Sequence, residues 1–352
     1  PINPPLPRLW AALPLWLSGV ESGTVTAPVD AYAVGDAFLV AQQEQHRSRF
    51  FLGRLMLLPG LALGGAILAV WAGRWWGRPA AILASVLWIG CPFLLVHGVL
   101  VTHDFPVTLA TLVTLAATAW LRDHPHGWGG VLIGCLLGLA CLTKLSAINL
   151  GLIVPVFWGL LPGKLRIDWR TALSSSLQIV LTAWCVLQLG YLGDTITTGS
   201  WPLPFPGGFL AGFEALRHTV DAQHPVFLDG EWRLEGFRSY YLWGLWYLLP
   251  LGFWLCLALV AVDGRRWLKD RGELRRVLAL LWVIVAIVGP PSFTGNQLGV
   301  RYVLPAVPVL LLLASRAALW ATARWQQRLL LGVGLIVLAA LRQHPHHFGA
   351  QQ

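Results

Sequence analysis

Residues 80–121 read AAILASVLWIGCPFLLVHGVLVTHDFPVTLATLVTLAATAWL, and this stretch decides the fold. Asp104 is the only Asp, Glu, Lys or Arg residue in it, and it lies between two long apolar runs at 80–101 and 107–121. Apolar runs of this kind are typical of helices that span a membrane. The stretch therefore predicts two spanning helices joined by a short link, with Asp104 at the mouth of the pair.

Composition extends this interpretation to the whole chain. Apolar residues make up 56% of the sequence and charged residues 12%, whereas a soluble domain carries about 25% charge. The 20 tryptophans also suit a bilayer, because aromatic side chains concentrate at the membrane–water interface. The sequence predicts an all-α polytopic membrane protein.

Apolar runs along the chain predict about ten transmembrane helices. Their expected ranges are 50–73, 79–100, 105–121, 128–145, 147–162, 171–192, 239–262, 276–291, 302–320 and 328–341.

Two segments do not have the pattern of a span. Residues 1–49 contain one short apolar piece, LWAALPLWL at 9–17, which suits a helix on the membrane surface. Residues 193–238 form a long outer loop rich in Pro, Gly and aromatic residues, and loops of that length are commonly functional. We therefore divide the chain into a partial first outer loop at 1–49 and a transmembrane domain at 50–352. Because no first span precedes Pro1, we expect the native N-terminus to lie upstream.

The basic residues assign an orientation. Fifteen of the 25 Lys and Arg residues fall in five short connections on one side of the spans, and short basic loops are typically cytoplasmic. The long loop and the link at Asp104 then face the periplasm or the cell exterior. This is the arrangement expected of a bacterial inner-membrane protein with its active site outside. The net charge of +9 is assigned to these loops, and no nucleic-acid partner is predicted.

Asp104 has two interpretations that the sequence leaves open. Asp is a preferred helix N-cap, and Pro106 suits a first helical turn. In the other interpretation the carboxylate faces a cavity at membrane level, where it orients an acceptor or binds a cation. The adjacent His103 is the second catalytic candidate.

Basic residues on the same face are candidates for binding a phosphate. Lys144 lies in GLACLTKLSAINL, and Arg301 is followed by Tyr302 in GNQLGVRYVLPAVP; Arg238 is a weaker third cation. The alternative for Lys144 and Arg301 is that a long side chain extends from a helix end to the interface. A buried ammonium or guanidinium needs an anionic partner, however, and a phosphate meets that need.

Several other chemistries lack their motifs. The sequence contains no GxxxxGK[ST], GxSxG or HExxH, so nucleotide hydrolysis, serine hydrolysis and zinc proteolysis are not indicated. The five cysteines form no CxxC pair and indicate neither a disulfide framework nor a zinc site. We predict no metal site, and a divalent cation is left open as a cofactor.

An ordered set of motifs resembles the polyprenyl-phosphate-sugar glycosyltransferases with the GT-C fold. That group includes protein O-mannosyltransferases and lipid A aminoarabinose transferases. NPPLPRLWAALPL resembles their PPL segment, VTHDFPVTLATL their outer-loop T-D-x-P segment, and GCLLGLACLTKLSAINL their GLxLGLAxLTK helix. FLDGEWRLEGFRSYYLWGLWYLLPLGF and NQLGVRYVLPAVPVLLLLAS resemble two later stretches of bacterial members. The matches occur in family order over nearly the whole chain.

The resemblance implies a transfer reaction. A sugar would leave a polyprenyl monophosphate donor and join an acceptor, either a protein, a lipid or a glycan, on the non-cytoplasmic side. It implies that Asp104 activates or positions the acceptor while Lys144 and Arg301 bind the donor phosphate. It also implies a principal acidic residue before the PPL segment, which is absent from this sequence, so activity of this chain alone is in question. Asn3 stands where many members carry His or a basic residue.

Two other functions are left open. One is a transporter or flippase for a lipid-linked sugar, and the other is a non-catalytic membrane protein. Transporters often show internal repeats and charges in mid-span, whereas the polar residues here collect at one face. In each case membrane lipids are expected partners.

The orientation generates a first prediction. A cysteine introduced into RWLKDRG, residues 266–272, should not react with a membrane-impermeant thiol reagent in intact cells, because short basic loops remain in the cytoplasm. A cysteine introduced near Asp229 in the long loop should react. Labelling of the first position and protection of the second would show that the orientation is inverted.

Overall fold

A computed structural model describes residues 3–21, 31–163, 169–193, 205–221 and 224–321, with Gly23 and six positions between 326 and 335. The chain is built from helices, which confirms the predicted all-α polytopic class. In chain order they are α1 (Leu6–Leu17), α2 (Ala31–Gln42), α3 (His46–Leu55), α4 (Leu58–Trp76), α5 (Arg78–Ile89), α6 (Pro92–Gly98), α7 (Asp104–Asp123), α8 (Gly129–Cys141), α9 (Leu150–Leu160), α10 (Trp169–Gly190), α11 (Gly207–Asp221), α12 (Tyr240–Leu248), α13 (Leu251–Val262), α14 (Gly264–Trp267), α15 (Arg271–Ser292) and α16 (Val307–Ser315). Four 3₁₀ segments, Gln43–Gln45, Leu145–Asn149, Val300–Ala306 and Arg316–Trp320, and one hairpin, Val226–Leu228 with Glu231–Arg233, complete the described elements.

The count of ten spans is not confirmed. Among the described residues, five helical stretches are long and apolar enough to cross a membrane, or up to seven if each of two bent pairs is one span. The five are Ala33–Trp76, Asp104–Asp123, Trp169–Gly190, Arg271–Ser292 and Val300–Trp320. The span predicted at 328–341 lies outside the described residues, apart from isolated positions.

Two predicted spans are broken by proline. The span predicted at 79–100 is the pair α5 and α6, bent by 63°, and the span predicted at 239–262 is the pair α12 and α13, bent by 111°. Cys91 and Leu249, each directly before a proline, have extended backbone conformations. A proline disfavours the helical conformation of the residue before it, so each helix ends there and the next begins in a new direction.

Two other predicted spans are short. The ranges 128–145 and 147–162 correspond to α8, with 13 residues, and α9, with 11 residues. At 1.5 Å per residue these helices are about 20 and 17 Å long, less than the roughly 30 Å of a bilayer core. Lys144 lies in the non-α-helical stretch between them.

A ladder of glycines lets α8 pack closely against α10. Gly130, Gly134 and Gly138 recur at every fourth residue, on one face of α8. A Cβ at Gly134 would lie 2.6 Å from the carbonyl oxygen of Ile179, and a Cβ at Gly138 would lie 2.7 Å from the Cβ of Val186. Small residues at this spacing are typical of tight helix contacts in membranes. The position of α8, and of the chain that follows it to Lys144, depends on this contact.

A layer of ion pairs joins the helices at the end of the bundle opposite Asp104. The buried Arg316 donates from Nη1 to Asp263 Oδ2 at 2.9 Å and from Nε to Glu273 Oε2 at 3.3 Å. Glu273 also accepts from Trp76 Nε1 at 2.9 Å and from Arg276 Nη1 at 2.6 Å. Every charge in this layer has a partner, which is the condition under which buried charges are tolerated.

The glycine ladder gives a stability prediction. Gly134→Ala should lower the unfolding free energy by about 1–3 kcal/mol, because the new methyl group meets backbone that must shift. Gly151→Ala is the matched control: nothing lies within 4 Å of a Cβ at Gly151, and alanine is the better helix former. Thermal unfolding in detergent measures both, and equal midpoints for the two variants would contradict the packing argument.

Candidate active site

A cavity of about 580 Å³ opens at the end of the bundle where α7 begins. Five of the six predicted site residues line it: His103, Asp104, Lys144, Arg301 and Tyr302. Its deeper wall is apolar and includes Val107, Leu150, Ile153 and Ile287. The cavity therefore combines a polar, charged mouth with a hydrophobic floor.

Asp104 is the central charge of the cavity mouth. Its side chain is 8% exposed, and Lys144 Nζ lies 2.6 Å from Asp104 Oδ1 while Arg301 Nε lies 3.9 Å from Oδ2. The N-cap interpretation fails, because α7 already includes Asp104 and no side chain caps this helix end. Asp104 instead binds two cations that are distant in sequence.

The direction of the Lys144 side chain is set by the backbone just after the end of α8. The residue is extended, at φ −156° and ψ 139°, so its side chain leaves the helical path directly after the glycine ladder. Its ammonium group lies 4.5 Å from the centre of the Tyr302 ring, a cation–π distance. With a side chain 15% exposed and paired with Asp104, Lys144 faces the cavity and does not extend to the interface.

Arg301 is held more loosely. It lies at the start of the 3₁₀ segment Val300–Ala306, after Gly299, whose φ of 130° favours glycine. Its side chain is 49% exposed, and its contact with Asp104 is at the long end for an ion pair. Exposed pairs of this kind contribute little to stability, so Arg301 can change partners at small cost.

Arg238 does not line the cavity in the part of the chain that is described. It is exposed, and its guanidinium lies 5.7 Å from the centre of the Phe293 ring. Next to it, the buried Gln297 side chain accepts from Phe237 N at 2.9 Å and donates to Phe237 O at 2.8 Å. This amide pair holds the end of the long loop against the segment that leads to Arg301.

His103 adjoins Asp104 at the cavity wall. Burial and the nearby Arg8 guanidinium lower the pKa of the His103 imidazole, and the Asp104 carboxylate partly opposes them. The neutral form, which can accept a proton, therefore predominates at pH 7. His103 Nε2 is buried and has no hydrogen-bond partner among the described residues.

Four other polar residues of the wall, Thr102, Asn149, Tyr241 and Asn296, were not singled out from the sequence. Their sequence surroundings give no signal that separates them from ordinary interfacial residues. Asn3, which the resemblance did single out, also lines the cavity. Among the described residues, no group of three or more His, Cys, Asp or Glu side chains is placed to hold a metal, and a divalent cation stays open as a cofactor.

Comparison with solved structures identifies the fold. ArnT from Cupriavidus metallidurans, solved bound to undecaprenyl phosphate and in the apo state, is 19% identical in both cases, with a TM-score of 0.62. The match covers 97% of this chain and 55% and 54% of the two solved chains. The chain has the ArnT fold. It spans about half the length of the ArnT chains that it matches.

A family model agrees with the ArnT match. The model described as dolichyl-phosphate-mannose-protein mannosyltransferase matches residues 38–187, which include Asp104 and Lys144. No curated protein matches the chain. Together with the ArnT fold, the family match confirms the predicted resemblance to the GT-C-fold polyprenyl-phosphate-sugar glycosyltransferases.

The central ion pair gives a prediction for a double-mutant cycle. Lys144→Ala and Asp104→Ala should each destabilise the protein, because each leaves a buried charge without its closest partner. The double variant should lose less than the sum of the two, with a coupling of about 1–3 kcal/mol. The same cycle with Arg301→Ala should show much weaker coupling, and equal coupling energies in thermal unfolding would contradict the assignment of Lys144 as the main partner.

Proposed function

We propose that this protein is a membrane glycosyltransferase that moves a sugar from a polyprenyl-phosphate donor to an acceptor. The observation that carries the proposal is the convergence of Lys144 and Arg301 on one carboxylate at the mouth of a cavity with an apolar floor. Such a cavity suits an amphiphilic ligand with an anionic head. The family match and the ArnT fold support the same class of reaction.

The donor phosphate binds by replacing Asp104 as the anion nearest Arg301. Arg301 is half exposed and only loosely paired, so turning it towards a phosphate costs little. Its guanidinium can donate two parallel hydrogen bonds to phosphate oxygens. Lys144, held over Tyr302, adds a second positive charge from the opposite side of Asp104.

The hydrophobic floor accepts the start of the polyprenyl chain. Val107, Leu150, Ile153 and Ile287 come from α7, α9 and α15, and α9 packs against α15. Isoprene units placed there are removed from water while the phosphate stays at the level of the cations. The cavity thus recognises both ends of the ligand, because its cations bind the phosphate and its apolar residues bind the polyprenyl chain.

The transfer step breaks the bond between the sugar C1 and the phosphate oxygen and forms a bond from C1 to the acceptor atom. The phosphate leaves with the bonding electrons, and Lys144 and Arg301 stabilise its negative charge. The acceptor loses a proton, and neutral His103 or the Asp104 carboxylate is placed to receive it.

The proposal includes a location. The distribution of basic residues over the connections supports a cavity on the periplasmic or extracellular face of a bacterial inner membrane. The acceptor, whether protein, lipid or glycan, would approach from that side. The described end of the long loop, held by Gln297, lies next to the segment that carries Arg301.

The phosphate assignment can be tested by ligand affinity. Lys144→Ala and Arg301→Ala should each weaken binding of undecaprenyl phosphate in nanodiscs by about ten- to a hundredfold, because each removes a charge-assisted hydrogen bond. Arg301→Lys should recover only part, since lysine lacks the planar fork. Arg238→Ala should have a smaller effect, because Arg238 lies outside the cavity wall.

Arg233→Ala is the matched control for charge. Arg233 is exposed and paired with Glu231 in the hairpin, so its loss should leave affinity within about twofold of the original. Sugar release from a polyprenyl-phosphate-sugar donor provides the activity measurement, with thermal stability measured alongside. Unchanged affinity in both Lys144→Ala and Arg301→Ala would exclude them as the phosphate site, and losses that only follow stability would show a structural role.

A further inference from the structure

The strongest feature outside the cavity is a buried arginine at the other end of α7. Arg122 is 9% exposed and lies in the last turn of the helix, about 27 Å along the axis from Asp104. Its Nε is buried without a hydrogen-bond partner, and no ion pair joins its guanidinium to a carboxylate of the described residues. Its favourable interactions are with Trp158, whose ring centre lies 5.3 Å from Cζ, and with the carboxylate of the adjacent, exposed Asp123, which attracts it without forming an ion pair.

A second cation faces the same place. Arg275, near the start of α15, donates from Nε to Leu160 O at 2.9 Å and from Nη2 to Gly159 O at 2.8 Å. It thereby satisfies carbonyl groups at the end of α9 without neutralising its own charge. Arg122 and Arg275 are close enough to repel each other, so two guanidinium groups share a partly buried position that holds an excess of positive charge.

This arrangement differs from the ion-pair layer around Arg316. There, each buried guanidinium or carboxylate has a partner of opposite charge. A buried guanidinium presents five donors and cannot lose its proton, so leaving it unpaired is costly. An anion placed between Arg122 and Arg275 would remove that cost.

We propose that Arg122 and Arg275 bind the phosphate group of an anionic phospholipid at the membrane face opposite the Asp104 cavity. The planar fork of arginine suits phosphate, and basic positions between helices on the cytoplasmic side are suited to anionic lipid head groups. Leu152 and Val156, on α9 just before the site, are exposed apolar residues along which an acyl chain can lie. Trp158, which contacts the Arg122 guanidinium, is an aromatic residue of the kind favoured at the membrane interface. This site is independent of the proposed transfer reaction.

The test compares lipids on the whole protein in detergent. Affinities for dioleoylphosphatidylglycerol, dioleoylphosphatidylcholine and inorganic phosphate are measured by native mass spectrometry and by ligand-induced thermal stabilisation. The original protein should bind the anionic lipid in preference to the zwitterionic one. Arg122→Gln should weaken binding of the anionic lipid by about tenfold and leave the zwitterionic lipid unaffected. Arg74→Gln is the control, because Arg74 is an exposed arginine at the same end of the bundle, and it should change the affinity by no more than about twofold.

Two further results decide the inference. Lipid-free Arg122→Gln should be at least as stable as the original protein, because glutamine removes a buried charge that has no partner; marked destabilisation would reveal an internal partner and overturn the proposal. If Arg122→Gln does not fold, Arg122→Lys keeps the charge without the fork and should show a smaller loss of affinity. Equal losses in Arg122→Gln and Arg74→Gln, or binding of inorganic phosphate in place of the lipid, would also overturn it.

Discussion

The cost of an unpaired charge in a medium of low dielectric constant organises this structure. Charged side chains are few, and among the described residues the buried ones other than Arg122 belong to two layers at opposite ends of the helices. Asp104 with Lys144 and Arg301 forms one layer, and Arg316 with Asp263 and Glu273 forms the other. The stretch Val300–Trp320 carries Arg301 near one end and Arg316 near the other, so a single span connects both layers. Its burial in the core follows from that double attachment as well as from its apolar sequence.

Breaks in the helices determine the geometry of the layer around Asp104. Helix α8 ends early, the chain becomes extended at Lys144, and a 3₁₀ segment leads into α9. A straight span would have carried the lysine along the helix axis, whereas the extended residue turns it towards Asp104. The glycine ladder holds α8 close to α10 in the turns just before that break. Packing of small residues therefore influences the position of the Lys144 charge.

Much of this arrangement follows from sequence, and the rest does not for identifiable reasons. Asp104 could be recognised as unusual because it is isolated among apolar residues. Its pairing with Lys144 could not be derived, since the two are 40 residues apart and only tertiary packing brings them together. The bends at Cys91–Pro92 and Leu249–Pro250 are indicated in the sequence by the prolines, but hydropathy alone does not reveal them. The burial of Arg316 could not be derived either, because its partners Asp263 and Glu273 come from distant parts of the sequence.

The loose contact between Arg301 and Asp104 has a consequence for the timing of binding and release. The ligand-free cavity carries its own counter-ion, covalently attached and always at the same local concentration. Under the proposed function, an arriving phosphate would have to displace that carboxylate, and a departing phosphate would be followed by its return. Asp104 would then act as an intramolecular competitor that moderates affinity for the anionic head group and favours turnover over retention of the spent lipid carrier.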